Sequence, residues 1–239
     1  EQARPADLAG AEKSKRAGTR PFSNPLRQLR VLTKRSLLSQ WRSRSSTYIK
    51  LLTNAMVGAI YGVLYDVSSN NQGSVYDRFG LLSLLTIGTL NLGLASTVRK
   101  FPEEKALIKT ETRGRLFSVF PYFLSKFVSG VPVTAFVSCV SGTLVSKLCK
   151  LRPAGFPTFI KLLSVHAVAS ESLGLMIGSL SPSQEVALAL FAPVTVLQVI
   201  FDGKNLSVEN TPRALRWMQD VSLVRLAWQG LVINEFEGQ

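Results

Sequence analysis

An all-α, polytopic bundle of membrane-spanning helices is the fold class this sequence predicts, and two observations predict it. The chain combines 46% hydrophobic residues with 28 Lys and Arg and 15 Asp and Glu, at a mean hydropathy of +0.20, so the charges must be segregated from the apolar residues. They are, in runs of bilayer length: Phe79–Val98 and Phe127–Ser146 are each twenty residues without a charge, and Val186–Phe201 is shorter. About twenty apolar residues cross the hydrocarbon core as a helix, so the first two runs suffice and the third does with its flanks.

The elements follow in order. Residues 1–24 mix Ala, Gly, Pro, Ser and basic residues without helical periodicity and read as a flexible basic linker. Over 25–47, Leu26, Leu29, Val31, Leu32, Leu37 and Leu38 recur near helical spacing among Arg27, Arg30, Lys34 and Arg35, an amphipathic basic helix suited to the inner membrane surface. The first span is expected at 48–67, with Lys50 near its start snorkelling to the interface. A polar turn over Ser68–Tyr76 leads to the second span, 79–98. The segment Arg99–Arg115 then carries six basic and three acidic residues, which places it, with the N-terminus, on the cytoplasmic side. The third span, 122–147, holds Pro132, tolerated in a membrane helix when neighbours satisfy the freed carbonyl. Lys147, Lys150 and Arg152 then fall outside, against the positive-inside rule. The fourth and fifth spans, 156–180 and 185–201, are separated only by Ser181–Gln184 and form a tight hairpin. The transmembrane domain is thus 48–201. Residues 202–239, with Trp217 and Trp228 among apolar and charged residues, read as an extracytoplasmic re-entrant or interfacial segment.

Several functions are disfavoured. Residues 1–44 hold eleven Lys or Arg against three acidic residues, yet a basic flank before a span orients a membrane protein, and no stacking aromatics are interleaved, so no nucleic acid is expected. The only Gly-Lys pair, Gly203-Lys204, is followed by Asn205 and lacks the upstream glycine of a phosphate loop, so these residues hold no ATPase site of that kind. A catalytic triad would need the single histidine, His166, which lies inside a span. No catalytic residue and no metal site are expected. Cys139 and Cys149 are ten residues apart on one helix, too far to bridge each other.

Glu171 is the side chain most in need of a reason. A carboxylate near mid-membrane costs on the order of 2.5–3.5 kcal/mol unless protonated, paired or facing water. It is either a substrate-path group or the partner of an intramembrane hydrogen bond, to His166 or to a hydroxyl on another helix. Thr86, Thr89 and Asn91 put polar groups in the second span, and such a face either lines a path or joins helices.

The stretch Glu103-Glu104-Lys105-Ala106-Leu107-Ile108-Lys109-Thr110-Glu111, then Gly114, Pro121-Tyr122-Phe123-Leu124-Ser125-Lys126 and Val131-Pro132, resembles the first intracellular loop and following helix of ABC transporters of the G subfamily, the white and pleiotropic-drug-resistance type. Gln28-Leu29 through Lys34-Arg35-Ser36 resembles that family's connecting helix. Phe201-Asp202-Gly203, Trp217, Ser222 and Asn234-Glu235-Phe236 resemble its region after the fifth helix. The resemblance covers residue 25 to the end. It departs at Leu116, where the family usually has an aromatic residue, at Lys204 and Asn205, where relatives carry bulky apolar gate residues, and after Ser222, where Arg225 and Leu226 stand in place of a tyrosine.

The resemblance implies a membrane domain of the type-2 ABC exporter kind, with five spans present and the sixth missing, as if a six-helix domain had been cut short. It implies a coupling helix with Glu104, Lys105, Glu111 and Gly114, a connecting helix with Gln28, Leu29 and Arg35, and an outer gate region at Phe201, Gly203, Lys204 and Asn205. Thr86, Thr89, Asn91 and Glu171 become substrate-path candidates. The implied partners are the lipid bilayer, a second membrane domain in a homo- or heterodimer, and a nucleotide-binding domain, in cis upstream or in trans, that binds ATP and Mg. The implied activity is ATP-driven export of lipid-like or hydrophobic small molecules. Two rival readings stand beside it: a truncated, non-transporting membrane scaffold, and a proton-coupled carrier using Glu171.

Overall fold

The computed structural model describes residues 24–42, 44–65, 72–113, 117–206 and 211–237. The linker expected before residue 24, most of the first outer turn, Gly114 and Leu116 lie outside these. All regular structure among the described residues is helical: α1 (Pro25–Arg42), α2 (Arg44–Leu64), α3 (Gln72–Arg113), α4 (Val119–Leu148), α5 (Phe156–Leu180), α6 (Gln184–Ile200), a 3-10 turn (Arg213–Leu215), α7 (Arg216–Val221) and α8 (Leu223–Phe236).

Among the described residues, four helices contain segments long and apolar enough to cross a membrane: Thr47–Leu64, Gly73–Pro102, Val119–Leu148 and Phe156–Leu180. The fifth apolar helix, α6, has 17 residues, about 25 Å of rise against a hydrocarbon core of about 30 Å. Side chains such as Val63, Leu64, Val165 and Leu180 are 69–85% exposed, a burden in water that acyl chains remove.

The chain divides into two compact units. The smaller comprises Glu1–Ser43 and Glu103–Gly130, the larger Arg44–Pro102 and Val131–Gln239. In the smaller unit, Pro25 opens α1, where its missing N–H costs nothing, and the Asn24 side chain accepts from Leu26 N at 3.3 Å. Gln28 and Leu32 are the buried residues of α1, while Leu26, Val31, Leu38 and Trp41 stay exposed.

Two apolar clusters hold the larger unit together. One joins Leu81, Leu82 and Leu85 of α3 to Val145, Phe159, Leu163 and Leu231. The other joins Leu90, Leu94 and Val98 to Ile177, Ala187 and Val224. The tail helix α8 contributes to both. Helices α3 and α5 approach closely at small residues: a Cβ on Gly93 would lie 2.9 Å from that of Ser170, and one on Gly174 would lie 3.1 Å from the Leu94 carbonyl oxygen. Small side chains permit such approach where dispersion and hydrogen bonds, not water, drive helix association.

The hairpin between the fourth and fifth apolar helices forms where the sequence places it. Ser181 leaves helical geometry before Pro182, as a residue preceding proline must, and its hydroxyl donates to the Ile177 carbonyl at 2.8 Å. Ser183 then caps α6 by accepting from Val186 N at 3.4 Å, with Glu185 in the first turn, where a carboxylate suits the helix dipole. Two features differ from expectation. Helix begins at Gln72, inside the stretch expected as a polar turn. The second span and the basic segment after it are one helix of 42 residues that includes Pro102.

Candidate functional site

In the smaller unit the charged residues of the resemblance come together. Arg35 grips Glu111 with both guanidinium nitrogens, Nη1 to Oε2 at 3.3 Å and Nη2 to Oε1 at 3.1 Å. Glu104 accepts from Lys126 Nζ at 2.8 Å on Oε1 and from the Tyr122 hydroxyl at 3.3 Å on Oε2, and Phe117 stacks on Tyr122 with centroids 5.5 Å apart. Buried Gln28 accepts the Ser118 N–H at 3.0 Å. Ser36 and Ser129 share a hydrogen bond of 2.7 Å. Leu29 and Lys105 are half-buried. The Arg35 side chain is 58% exposed, so its pair is worth about 0–1 kcal/mol: it sets orientation more than stability. Tyr122 and Lys126, which the sequence marks only as family-like residues, thus belong to this surface. Their partner, some twenty residues away, has no periodic signature.

In the larger unit Glu171 is fully partnered. Its Oε1 lies 2.9 Å from Lys50 Nζ, and its Oε2 accepts from the Thr134 hydroxyl at 2.5 Å. This joins α2, α4 and α5. Lys50, expected to reach the interface, has a carboxylate within reach inside the domain. Glu171 bonds a hydroxyl on another helix and not His166, since five residues place two side chains about 140° apart around a helix. His166 is buried, and its Nε2 lies 2.9 Å from the Thr86 carbonyl oxygen. Thr86 is wholly buried and donates to the Ser83 carbonyl at 2.8 Å, whereas half-buried Thr89 donates to Leu85 at 2.8 Å. Asn91 is half-buried.

After α6, Phe201 and Asp202 are buried and Gly203 adopts φ +81°, a left-handed conformation that favours glycine. Asp202 Oδ1 accepts from the Lys204 and Asn205 backbone N–H groups at 2.8 and 2.7 Å, and Oδ2 from the Asn205 amide at 2.8 Å. That leaves the Lys204 and Asn205 side chains exposed.

One cluster gathers Asn234 and Glu235 of the resemblance with partners that the sequence does not point to. Glu235, 3% exposed, faces Arg78 Nη1 at 3.5 Å and accepts from Arg152 N at 3.2 and 3.3 Å, and the Arg152 guanidinium donates to the Glu237 carbonyl. Asn234 donates to the Gly155 carbonyl at 3.1 Å. Burial pushes the Glu235 carboxyl above the usual carboxylate range, with Arg152 and Arg78 pulling the other way. The residues come from the start of α3, the α4–α5 connection and α8, separations that no spacing rule reveals.

Helices of membrane length with charges paired inside them make an integral membrane domain. The chain belongs to the ABC-2 type transporter family, whose model matches residues 27–236. It is 31% identical over 214 residues to ABC transporter G family member 7 of Arabidopsis thaliana, covering 89% of this chain and 30% of that protein. It is 26% identical over 211 residues to Protein white of Drosophila melanogaster, covering 87% of this chain and 31% of the relative. It is 25% identical over 215 residues to the broad substrate specificity ATP-binding cassette transporter ABCG2 of Bos taurus, covering 89% and 33%. The chain therefore spans about a third of these relatives, and it is a G-subfamily-type membrane domain, a transmembrane subunit of an ABC transporter.

Proposed function

We propose that this membrane domain lines the substrate path of an ATP-driven exporter of lipid-like or hydrophobic small molecules, and that its smaller unit is the surface on which a nucleotide-binding domain acts. The observation that carries the reading is the pair of ionic links Arg35–Glu111 and Glu104–Lys126, which join three segments far apart in sequence on a surface of both charge signs. Such a surface suits a polar, moving interface. In this reading Gln28, Leu29 and Arg35 form the connecting helix, and Glu104, Lys105, Glu111 and Gly114 the coupling helix. The N-terminus is cytoplasmic, a second membrane domain completes the path, and ATP and Mg bind in the nucleotide-binding domain, in cis or in trans.

The test is reconstitution of the gene product with its nucleotide-binding domain in lipid vesicles. ATP-dependent movement of a fluorescent lipid analogue, abolished by Glu104→Ala with Glu111→Ala while the domains still assemble, is the expected result. Unchanged movement in that variant would sink the assignment of the coupling surface. Movement driven by a proton gradient without ATP would replace the reading with a carrier.

A further inference from the structure

We propose that Lys50, held by Glu171 beside Thr134, is a recognition point for the acidic head group of an amphiphilic substrate. This rests on the transport reading above and narrows it to a class of molecule.

Depth comes first. Lys50 lies three residues inside the apolar segment that starts at Thr47 and Glu171 nine from the end of α5, about 5 and 14 Å of helix rise respectively. Both lie inside the apolar segments, where an ionisable side chain is kept only when paired, hydrated or used. Pairing accounts for Glu171, because both of its oxygens accept hydrogen bonds. Lys50 is different: an ammonium carries three donors, one of which goes to Glu171. The nearby Asn54 amide donates to the Lys50 carbonyl oxygen at 2.7 Å and offers the ammonium no acceptor there. The Lys50 side chain is 30% exposed against 19% for Glu171. What the site presents is therefore spare donor capacity on a cation, which an anionic oxygen completes and a cationic head group opposes.

The loop after α6 supplies an independent observation of the same sign. Lys204 is exposed, and the Arg225 side chain lies against Gly203 with a buried Nε that has no hydrogen-bond partner among the described residues. Arg225 Nη1 pairs with Asp220 at 3.3 Å, but that carboxylate is itself 81% exposed. The acid of the loop, Asp202, has its oxygens occupied by Lys204 N, Asn205 N and the Asn205 amide. Lys204 is the accessible cation of the turn itself, while the exposed Asp220 carboxylate offsets Arg225. A carboxylate and a phosphate head share the chemistry that both places offer.

The experiment uses the gene product with its nucleotide-binding domain in phosphatidylcholine nanodiscs and follows ATP hydrolysis as dodecanoate, dodecyl phosphate, dodecanol or dodecyltrimethylammonium is added. Half-maximal stimulation should come at lower concentration for one or both acidic heads than for dodecanol, and the stronger of the two identifies the head group. Lys50→Gln should weaken the acidic response roughly tenfold, the scale of one charge-assisted hydrogen bond, and leave the dodecanol response in place; Lys50→Arg should retain both. Equal responses to all heads, or a Lys50→Gln shift that is the same for dodecanol, would overturn the proposal and leave transport standing. No response to any amphiphile would sink the transport reading and this one with it. Should Lys50→Gln fail to fold, Lys50→Met, which keeps the apolar stem and removes the charge, carries the same comparison.

Discussion

Replacing Glu235 with alanine should be among the most damaging single changes in this domain. The carboxylate is 3% exposed and faces an Arg78 side chain that is itself only 10% exposed, and it also accepts the Arg152 backbone N–H. Alanine removes the carboxylate that Arg78 faces and the acceptor that Arg152 N uses. Breaking a buried pair by deleting one partner costs about 3–5 kcal/mol. In a domain of this size each kcal/mol moves the melting midpoint by roughly 2–4 °C, so Glu235→Ala should lower it by roughly 6 °C or more in detergent or nanodiscs. Glu235→Gln is the discriminating control, because it keeps an acceptor for Arg152 and removes the charge that burial disfavours. Since burial holds the folded carboxyl above its unfolded range, the contribution is complete below the unfolded value and is lost as pH rises through the folded one. The wild-type midpoint should therefore fall as pH rises through and just above the carboxylate range, and the Gln variant should show a flatter profile. A Glu235→Ala midpoint within about a degree of wild type would refute the clamp, and a pH profile unchanged in Glu235→Gln would refute the titration argument.

Three further outcomes are expected. Arg35→Ala and Glu111→Ala should each change stability by less than about 1 kcal/mol, since the Arg35 side of the pair is exposed and screened, while lowering substrate-stimulated ATP hydrolysis; equal losses of stability and coupling would make the pair merely structural. Gly174→Val should cost about 1–3 kcal/mol by overpacking, because even its Cβ would meet the Leu94 carbonyl oxygen at 3.1 Å; a melting midpoint equal to wild type would show that α3 and α5 separate freely. Cys149, 1% exposed and pushed by burial up to about 11, should react slowly with maleimides at neutral pH and faster as pH approaches that value, since the thiolate is the nucleophile; rapid stoichiometric labelling at neutral pH would show that its pocket opens.

Much of the architecture was legible because the bilayer imposes one rule, that apolar helical stretches be long and uncharged. Phe79–Val98 and Phe127–Ser146 announce α3 and α4 outright, and Ser181-Pro182-Ser183 carries its own stop and start signals. The length of α3 was not legible. The charges of Arg99–Arg113 look like the end of a span when counted for hydropathy, yet Lys, Glu, Ala and Leu are good helix formers and the helix continues through them. Site residues were legible where a local motif marks them, as with Glu104, Glu111 and Arg35. They were not where the partner is remote: nothing in the neighbourhood of Glu171 names Lys50, 121 residues earlier, and nothing beside Glu235 names Arg78. Pairing across helices depends on rotation and depth, which one sequence specifies only through the packing of every other residue.

The same remoteness resolves part of a discrepancy in the charge pattern. Lys147, Lys150 and Arg152 contradict the positive-inside rule if the third span ends outside. That rule reflects the cost of moving free, hydrated cations across a membrane, and it weighs Lys and Arg near span ends without regard to their folded partners. Arg152 is not a free cation in the folded domain: its guanidinium donates to the Glu237 carbonyl and its charge acts on the Glu235 carboxyl. A basic residue that closes an internal cluster is retained for that contact, so its presence argues less against the topology than a solvated lysine would. The basic residues of α1 offer the contrast, since Arg27, Arg30 and Lys34 are all exposed and remain available to hold the N-terminal side at an anionic membrane surface. Weighted in this way, the pattern favours the cytoplasmic N-terminus of the proposed function, and accessibility of a cysteine placed at Lys34 to an impermeant thiol reagent only after the membrane is opened is the outcome it requires.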